Sequence, residues 1–187
     1  HIREIKIRGI PFLRSIKNII YPISLEKLSF EYLQDIPLIC PKKLKELNIS
    51  ERLHSRDLSE DEIKNLPDSL IKLKFTGNCE FSIHKLPKNL KILIFYVKFQ
   101  KDVICNNNII FSNYPQNLKI INFKGEFNFN LGRLPESLEI LKLGDSFNQP
   151  ITYLPQQLKI LHITNSNYNK KICPLPDSVE ELMLSIT

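Results

Sequence analysis

Four cysteines, four histidines and one cluster of acids are the residues of this chain whose types and spacing could do chemistry. Cys40, Cys79, Cys105 and Cys173 are separated by 39, 26 and 68 residues, and no Cys-x-x-Cys or Cys-x-x-His pair signals a zinc site. Their even number allows two disulfides in a secreted protein. No charged-then-apolar leader opens the chain, however, and 187 residues can build a core unaided, so reduced thiols and a cytoplasmic location are expected. His1, His54, His84 and His162 have no acid or cysteine at a catalytic spacing. With only 5 glycines there is no Gly-rich phosphate loop, and no Gly-x-Ser-x-Gly elbow occurs. The expectation is a non-enzymatic chain with no catalytic residues, no cofactor and no metal. The acids of Asp57-Leu58-Ser59-Glu60-Asp61-Glu62 place Ser59 and Glu62 at capping-box spacing before Ile63, which predicts a short helix. The same cluster also has the form of a phosphorylation site.

Composition bounds the elements that hold these groups. Leu and Ile each occur 27 times and Ala not once, which argues against a helical bundle. Ile, Lys and Asn make up about a third of the chain, a bias of AT-rich genomes rather than of function. No stretch approaches the 18 apolar residues of a membrane helix, so no membrane partner is expected. The net charge of +6 could serve phosphate backbones. But Glu26, Glu139 and Glu180 share the sequence column of Lys91, Lys119 and Lys159, and no aromatics interleave for base stacking, so these lysines read as a solvated face without a nucleic-acid partner. Asn48-Ile49-Ser50 is a glycosylation sequon placed on a strand, and is read as unused.

An internal repeat decides the fold. Eight times the chain writes Pro, two residues, an aliphatic, two residues, an aliphatic, one residue, then Leu, Ile or Phe, beginning at Pro22, Pro41, Pro67, Pro87, Pro115, Pro135, Pro155 and Pro176. The intervals are 19, 26, 20, 28, 20, 20 and 21 residues, and Ile2, Ile5 and Ile7 form a partial ninth copy. The last two marked aliphatics of each copy are two apart, the period of a strand. Twenty residues leave no room for a strand, a full helix and two turns, so the return path is expected to be mostly extended or 3₁₀. Further apolar pairs, such as Ile63 with Leu66, Ile151 with Leu154 and Ile172 with Leu175, should anchor that path to the core. No coil can bury its apolar face alone, so coils must stack with their strands in parallel. The spacing therefore predicts an α/β, β-rich solenoid over residues 1–187, one domain of about nine coils. Its parallel sheet is expected to curve, with the strands on the concave side, and insertions fall near 51–62 and 100–110. Both ends stop on a strand copy with no polar capping repeat, which suggests part of a longer protein.

Counting the first aliphatic of each copy as position one, positions three, five and seven face away from the core. Position three reads Glu4, Lys27, Glu46, Lys72, Ile92, Ile120, Ile140, Ile160, Glu181, so four successive coils place Ile where solvent is expected. Ile94 and Tyr96 lie beside this row, as do Asn122, Lys142 and His162 at position five. These nine residues (Ile92, Ile94, Tyr96, Ile120, Asn122, Ile140, Lys142, Ile160 and His162) form the candidate site for a protein partner on the concave strand face. The row could equally be β-formers stacking on one another beneath lysine stems.

These residues carry a family resemblance. Leu138-Glu139-Ile140-Leu141-Lys142-Leu143 resembles a leucine-rich repeat, and Phe147-Asn148-Gln149-Pro150-Ile151 followed by Leu154-Pro155 resembles the FNIP repeat, a leucine-rich-repeat variant of social amoebae and of giant viruses that infect amoebae. Phe127-Asn128 with Leu131 and Tyr168-Asn169 with Ile172 are weaker copies. The likeness is clearest from about residue 115 onward. Leu-Pro-x-x-Leu-x-x-Leu is also similar to repeats of bacterial effector ubiquitin ligases, although only Asn78 matches their trailing Asn. The FNIP resemblance implies protein recognition, in many such proteins as the substrate receptor of an F-box adaptor whose flanking sequence meets a cullin-type ligase. That work would be done in the cytoplasm, the host's if the chain is viral. The alternatives are the recognition domain of an effector ubiquitin ligase, or a structural component such as a scaffold or virion protein.

Overall fold

A computed structural model describes residues 1–8, 20–31, 40–50, 65–77, 86–97 and 113–185. The nine sequence copies fold as nine strands: β1 Glu4–Arg8, β2 Lys27–Glu31, β3 Glu46–Ser50, β4 Lys72–Gly77, β5 Ile92–Val97, β6 Ile120–Gly125, β7 Ile140–Leu143, β8 Ile160–Ile163 and β9 Glu181–Leu184. They form one parallel sheet in chain order. Every pairing has the same register, so Glu4, Lys27, Glu46, Lys72, Ile92, Ile120, Ile140, Ile160 and Glu181 stand in a single column.

Each strand from β2 to β9 is launched by the same turn. In all eight full copies the N–H of the first aliphatic donates to the carbonyl of the repeat proline, as Leu138 does to Pro135 at 3.1 Å. Proline has no N–H to leave unpaired where the return path enters this turn. The residue just before the aliphatic then joins the coils. Ser24 donates its hydroxyl to the Ile2 carbonyl at 2.8 Å. Ser69, Ser137 and Ser178 donate at 2.7 Å to the carbonyls of Leu44, Leu118 and Leu158, the position-one residues of the coils before them. Those carbonyls sit at the core edge, where an unmet acceptor would be costly. The sequence pattern had treated this position as variable; its recurring Ser is a latch.

Inward residues of positions one, four and six fill the core, from Leu25, Leu28 and Phe30 to Leu158, Leu161 and Ile163. Return-path anchors add Leu66, Leu86, Tyr114, Leu131, Leu134, Ile151 and Leu154. Leu175, expected among them, is 42% exposed, because it belongs to the last coil and nothing described packs beyond it. For the same reason Leu182 of β9 is 44% exposed although it holds a core position. The proposed anchor Ile63 lies outside the described residues.

Aromatic rings run as a spine through the stack. Phe75 and Phe95 have centroids 5.2 Å apart, Phe95 meets Phe123 edge-on at 6.4 Å, and Phe123 stacks on Phe127 at 4.1 Å. The spine continues through Phe147 at 6.3 Å and Tyr168 at 6.1 Å. Beside these last rings the asparagines form a ladder: Asn148 N–H donates to Asn128 Oδ1 at 2.7 Å, and Asn169 N–H donates to Asn148 Oδ1 at 3.2 Å. The Phe-Asn element thus has a physical basis. The ring stacks inward, and the neighbouring amide pairs the backbone of the next coil.

The β-rich leucine-rich-repeat solenoid is as expected: among the described residues all regular structure is strand, and of the two courses open to the return path, extended or 3₁₀, it takes extended segments and turns, with one isolated bridge between Ile151 and Ile172. The helix expected at Ser59 to Glu62 and the two insertions lie outside the described residues.

Three outcomes test this account. Leu141→Ala should cost roughly 2 to 5 kcal/mol, and hydrogen exchange should open β6 to β8 before the distant coils; uniform loss of protection along the chain would contradict a stack of neighbour contacts. At Gly144 a Cβ would lie 3.0 Å from the Lys124 Cα and 3.2 Å from the Phe123 carbonyl oxygen. Gly144→Ala should therefore lower stability by roughly 1 to 3 kcal/mol in chemical denaturation. Asn148→Ala should cost about 0.5 to 1.5 kcal/mol and speed exchange of the Asn169 amide in particular.

Candidate functional site

The pleat sends positions three, five and seven to the face opposite the core. Nothing described covers this face, and its two halves differ chemically. On β1 to β4 it is charged, and all of its cations but Lys74 are matched by acids. Lys27 Nζ lies 2.9 Å from Glu46 Oε1, Lys72 Nζ 3.9 Å from Glu46 Oε2, Lys6 Nζ 3.2 Å from Glu4 Oε1, and Arg8 Nε 3.2 Å from Glu31 Oε2. The Glu46 carboxylate holds the Lys27 ammonium above its usual range, chiefly by hydrogen bonding. Lys6, Ser29, Asn48 and Lys74 help line a depression of about 320 Å³ over these strands. In it the Asn48 side-chain oxygen is shut from solvent without a hydrogen-bond partner among the described residues.

On β5 to β8 the face turns apolar. Ile92, Ile120, Ile140 and Ile160 are consecutive register partners, and Ile94 and Tyr96 continue the surface along β5. All nine candidate residues read from the sequence fall on this one face of four adjacent strands. The four isoleucines are half-buried rather than open to solvent, because each is flanked by the next at about the 4.8 Å spacing of paired strands. Self-stacking and an outward apolar surface are therefore two aspects of the same row. Asn122, Lys142 and His162 follow one another at position five. His162 Nε2 donates to Glu181 Oε1 at 2.6 Å, an ion pair only when the ring is protonated. This tie across to β9 was not apparent in the sequence, where His162 seemed isolated.

Cations and acids at the turn ahead of the strands also pair. Lys45 Nζ lies 2.8 Å from Glu26 Oε1 and Lys119 bonds Glu139; in each pair the lysine's hydrogen bond holds the carboxyl below its ordinary range. These exposed pairs are screened by solvent, so they tune solubility and alignment more than stability.

Nucleophilic chemistry finds little support. Burial pushes the Cys40 thiol up to about 12, far from a reactive thiolate at neutral pH. Among the described residues no three His, Cys, Asp or Glu side chains come together to hold a metal ion. The buried Tyr114 hydroxyl donates to the Leu131 carbonyl at 3.0 Å, and burial raises its pKa; it acts as a structural tie.

Comparison with known proteins adds the lineage of the repeat. The FNIP Repeat family model matches residues 128–163 and 147–185, the stretch with the asparagine ladder and the last part of the aromatic spine. No curated protein sequence matches the chain. Among solved structures the fold is similar to CroV588, a giant-virus protein described as a novel circular LRR protein structure, with a TM-score of 0.63 and 28% sequence identity. That alignment covers 87% of this chain but only 24% of the other, so the chain spans about a quarter of the length of the structure it resembles. Uniform register, a proline-launched strand in eight of the nine coils and the likeness to a solved circular LRR structure make the chain a parallel-sheet repeat solenoid of leucine-rich-repeat type, in which residues 128–185 match the FNIP repeat.

Proposed function

We propose that this chain is a non-enzymatic protein-recognition module that binds its partner on the open face of β5 to β8. The observation that carries this reading is the in-register row Ile92, Ile120, Ile140 and Ile160, continued by Ile94 and Tyr96, on the face that no described element covers. An apolar row of this length on a repeat scaffold of interaction type offers a partner the desolvation that drives association. Asn122, Lys142 and His162 border it and supply the polar contacts that fix orientation.

The finer role follows from the FNIP lineage. In our reading the face is the substrate receptor of an F-box type adaptor acting in the cytoplasm, with flanking sequence joining a cullin-type ligase. The scaffold or virion role remains the second reading, supported by the likeness to a viral circular repeat protein. Recognition by an effector ubiquitin ligase is the third.

Capture from host-cell lysate with the full-length protein separates these readings. The natural chain is compared with an Ile120→Thr/Ile160→Thr variant, which keeps β-branched residues and leaves a strand between the two changes. The variant should lose the specific partner while melting within a few degrees of the natural chain. A large fall in melting temperature would make the row structural. Recovery of a ligase adaptor with both chains, and of a client with the natural chain only, is the outcome expected of a substrate receptor. Recovery of virion or scaffold proteins with both would favour the second role.

A further inference from the structure

The open face carries more positive charge than it neutralises. Positions three, five and seven of the nine coils hold seven cations, Lys6, Arg8, Lys27, Lys72, Lys74, Lys124 and Lys142, against four carboxylates, Glu4, Glu31, Glu46 and Glu181. Every one of those carboxylates is engaged: by Lys6, by Arg8, by Lys27 with Lys72, and by His162. Lys74, Lys124 and Lys142 are left without an acidic partner among the described residues, and these three border the isoleucine row. Lys142 is two residues beyond Ile140 on β7, Lys124 four beyond Ile120 on β6, and Lys74 is the register partner of Ile94. Two residues along a strand are about 6.7 Å and four about 13 Å, so Lys142 and Lys74 lie within a lysine stem of the row while Lys124 can reach only the near flank of something as broad as a helix lying on it.

The spacing of the row selects the shape of its occupant. Successive isoleucines are about 4.8 Å apart, the distance between paired strands. An α-helix laid across the strands returns a side chain to one line about every 5.4 Å, so over three intervals it drifts from the row by about 2 Å. An extended chain repeats about every 6.7 Å and would drift by about 6 Å. We infer that the partner segment is an acidic amphipathic helix of about three turns. One aliphatic residue per turn seats along Ile92, Ile120, Ile140 and Ile160, and carboxylates on the flank meet Lys74, Lys124 and Lys142. This inference rests on the recognition reading above and specifies its chemistry. Nucleic acid fits less well, because the row offers isoleucines where bases need rings to stack on.

The test is selection of displayed 16-residue random peptides on the natural full-length protein, with the winners counter-screened against two variants. One is Ile120→Thr/Ile160→Thr; the other is Lys74→Gln/Lys142→Gln, whose changes are exposed or half-buried and leave the core untouched. The expected winners are rich in Glu and Asp and repeat aliphatics every three or four residues. They should lose roughly tenfold in affinity on the lysine variant, and bind more weakly as salt is raised from about 0.05 to about 0.5 M, which shortens the screening length from roughly 14 to roughly 4 Å. Winners that need the isoleucines but are neutral or basic, or that repeat aliphatics every second residue, would overturn the acidic helix and leave the recognition face standing. The absence of any winner sensitive to the isoleucine variant would overturn both. Binding of the chain to phosphatidylserine vesicles with lysine dependence, while acidic peptides fail, would assign the same charges to a membrane surface and overturn the inference.

Discussion

In-register parallel pairing is the constraint on which everything else rests. Because side chains alternate along a strand, a slip of one residue would turn Leu141 and Leu143 outward and Lys142 into the core. Burial of the fourth and sixth positions on both neighbours therefore penalises any slip in any coil. The proline turn at the entry to β2 through β9, joined in four coils by the serine latch, fixes where pairing starts, and the carbonyl of position two then accepts two N–H groups of the next coil, as Glu139 does from Lys159 and Ile160. The asparagine ladder and aromatic spine repeat the same neighbour-to-neighbour logic on the return side. No single contact is large. Their strength lies in repetition, and in a core where each coil closes the one before it.

This dependence explains why some features could be read from the residues alone. A strand period of two, repeated with a proline marker, determines which side chains share a face, so the position-three column could be written down complete, from Glu4 to Glu181. It also placed all nine candidate residues on one surface. What escaped was chemistry with no period of its own in a single copy. Ser137 looks like any small polar residue until the Leu118 carbonyl is seen in front of it, and His162 looks isolated until β9 brings Glu181 alongside. The half-burial of the isoleucine row was legible only as one of two alternatives, because the shielding comes from register partners 20 or more residues away. Return-path geometry was legible only in outline: twenty residues excluded a full helix but did not choose between 3₁₀ and extended chain with turns.

The two halves of the open face divide the work between solubility and contact. On β1 to β4 acids and bases mostly alternate across strands and satisfy each other, which keeps four strands of exposed surface hydrated and leaves only Lys74, at the edge of the apolar half, unspent. From β5 to β8 the acids of position three are replaced by isoleucine while lysines persist at the border. Attraction is thereby concentrated on about half the sheet, where apolar area and uncompensated positive charge coincide. Such concentration favours specificity, since a ligand must match both properties over the same few strands. Exposed ion pairs contribute little to folding free energy, so the charged half is free to change without endangering the stack.

The intervals between the repeat prolines range from 19 to 28 residues, yet the register never shifts. The length variation falls between the end of one strand and the next repeat proline. At the level of the gene this makes each coil an exchangeable cassette. Unequal recombination between copies adds or deletes a whole strand without disturbing its neighbours, and moves the boundary between the charged and apolar halves one step at a time. A lineage carrying such an array can therefore alter its binding surface by copy number as readily as by point substitution.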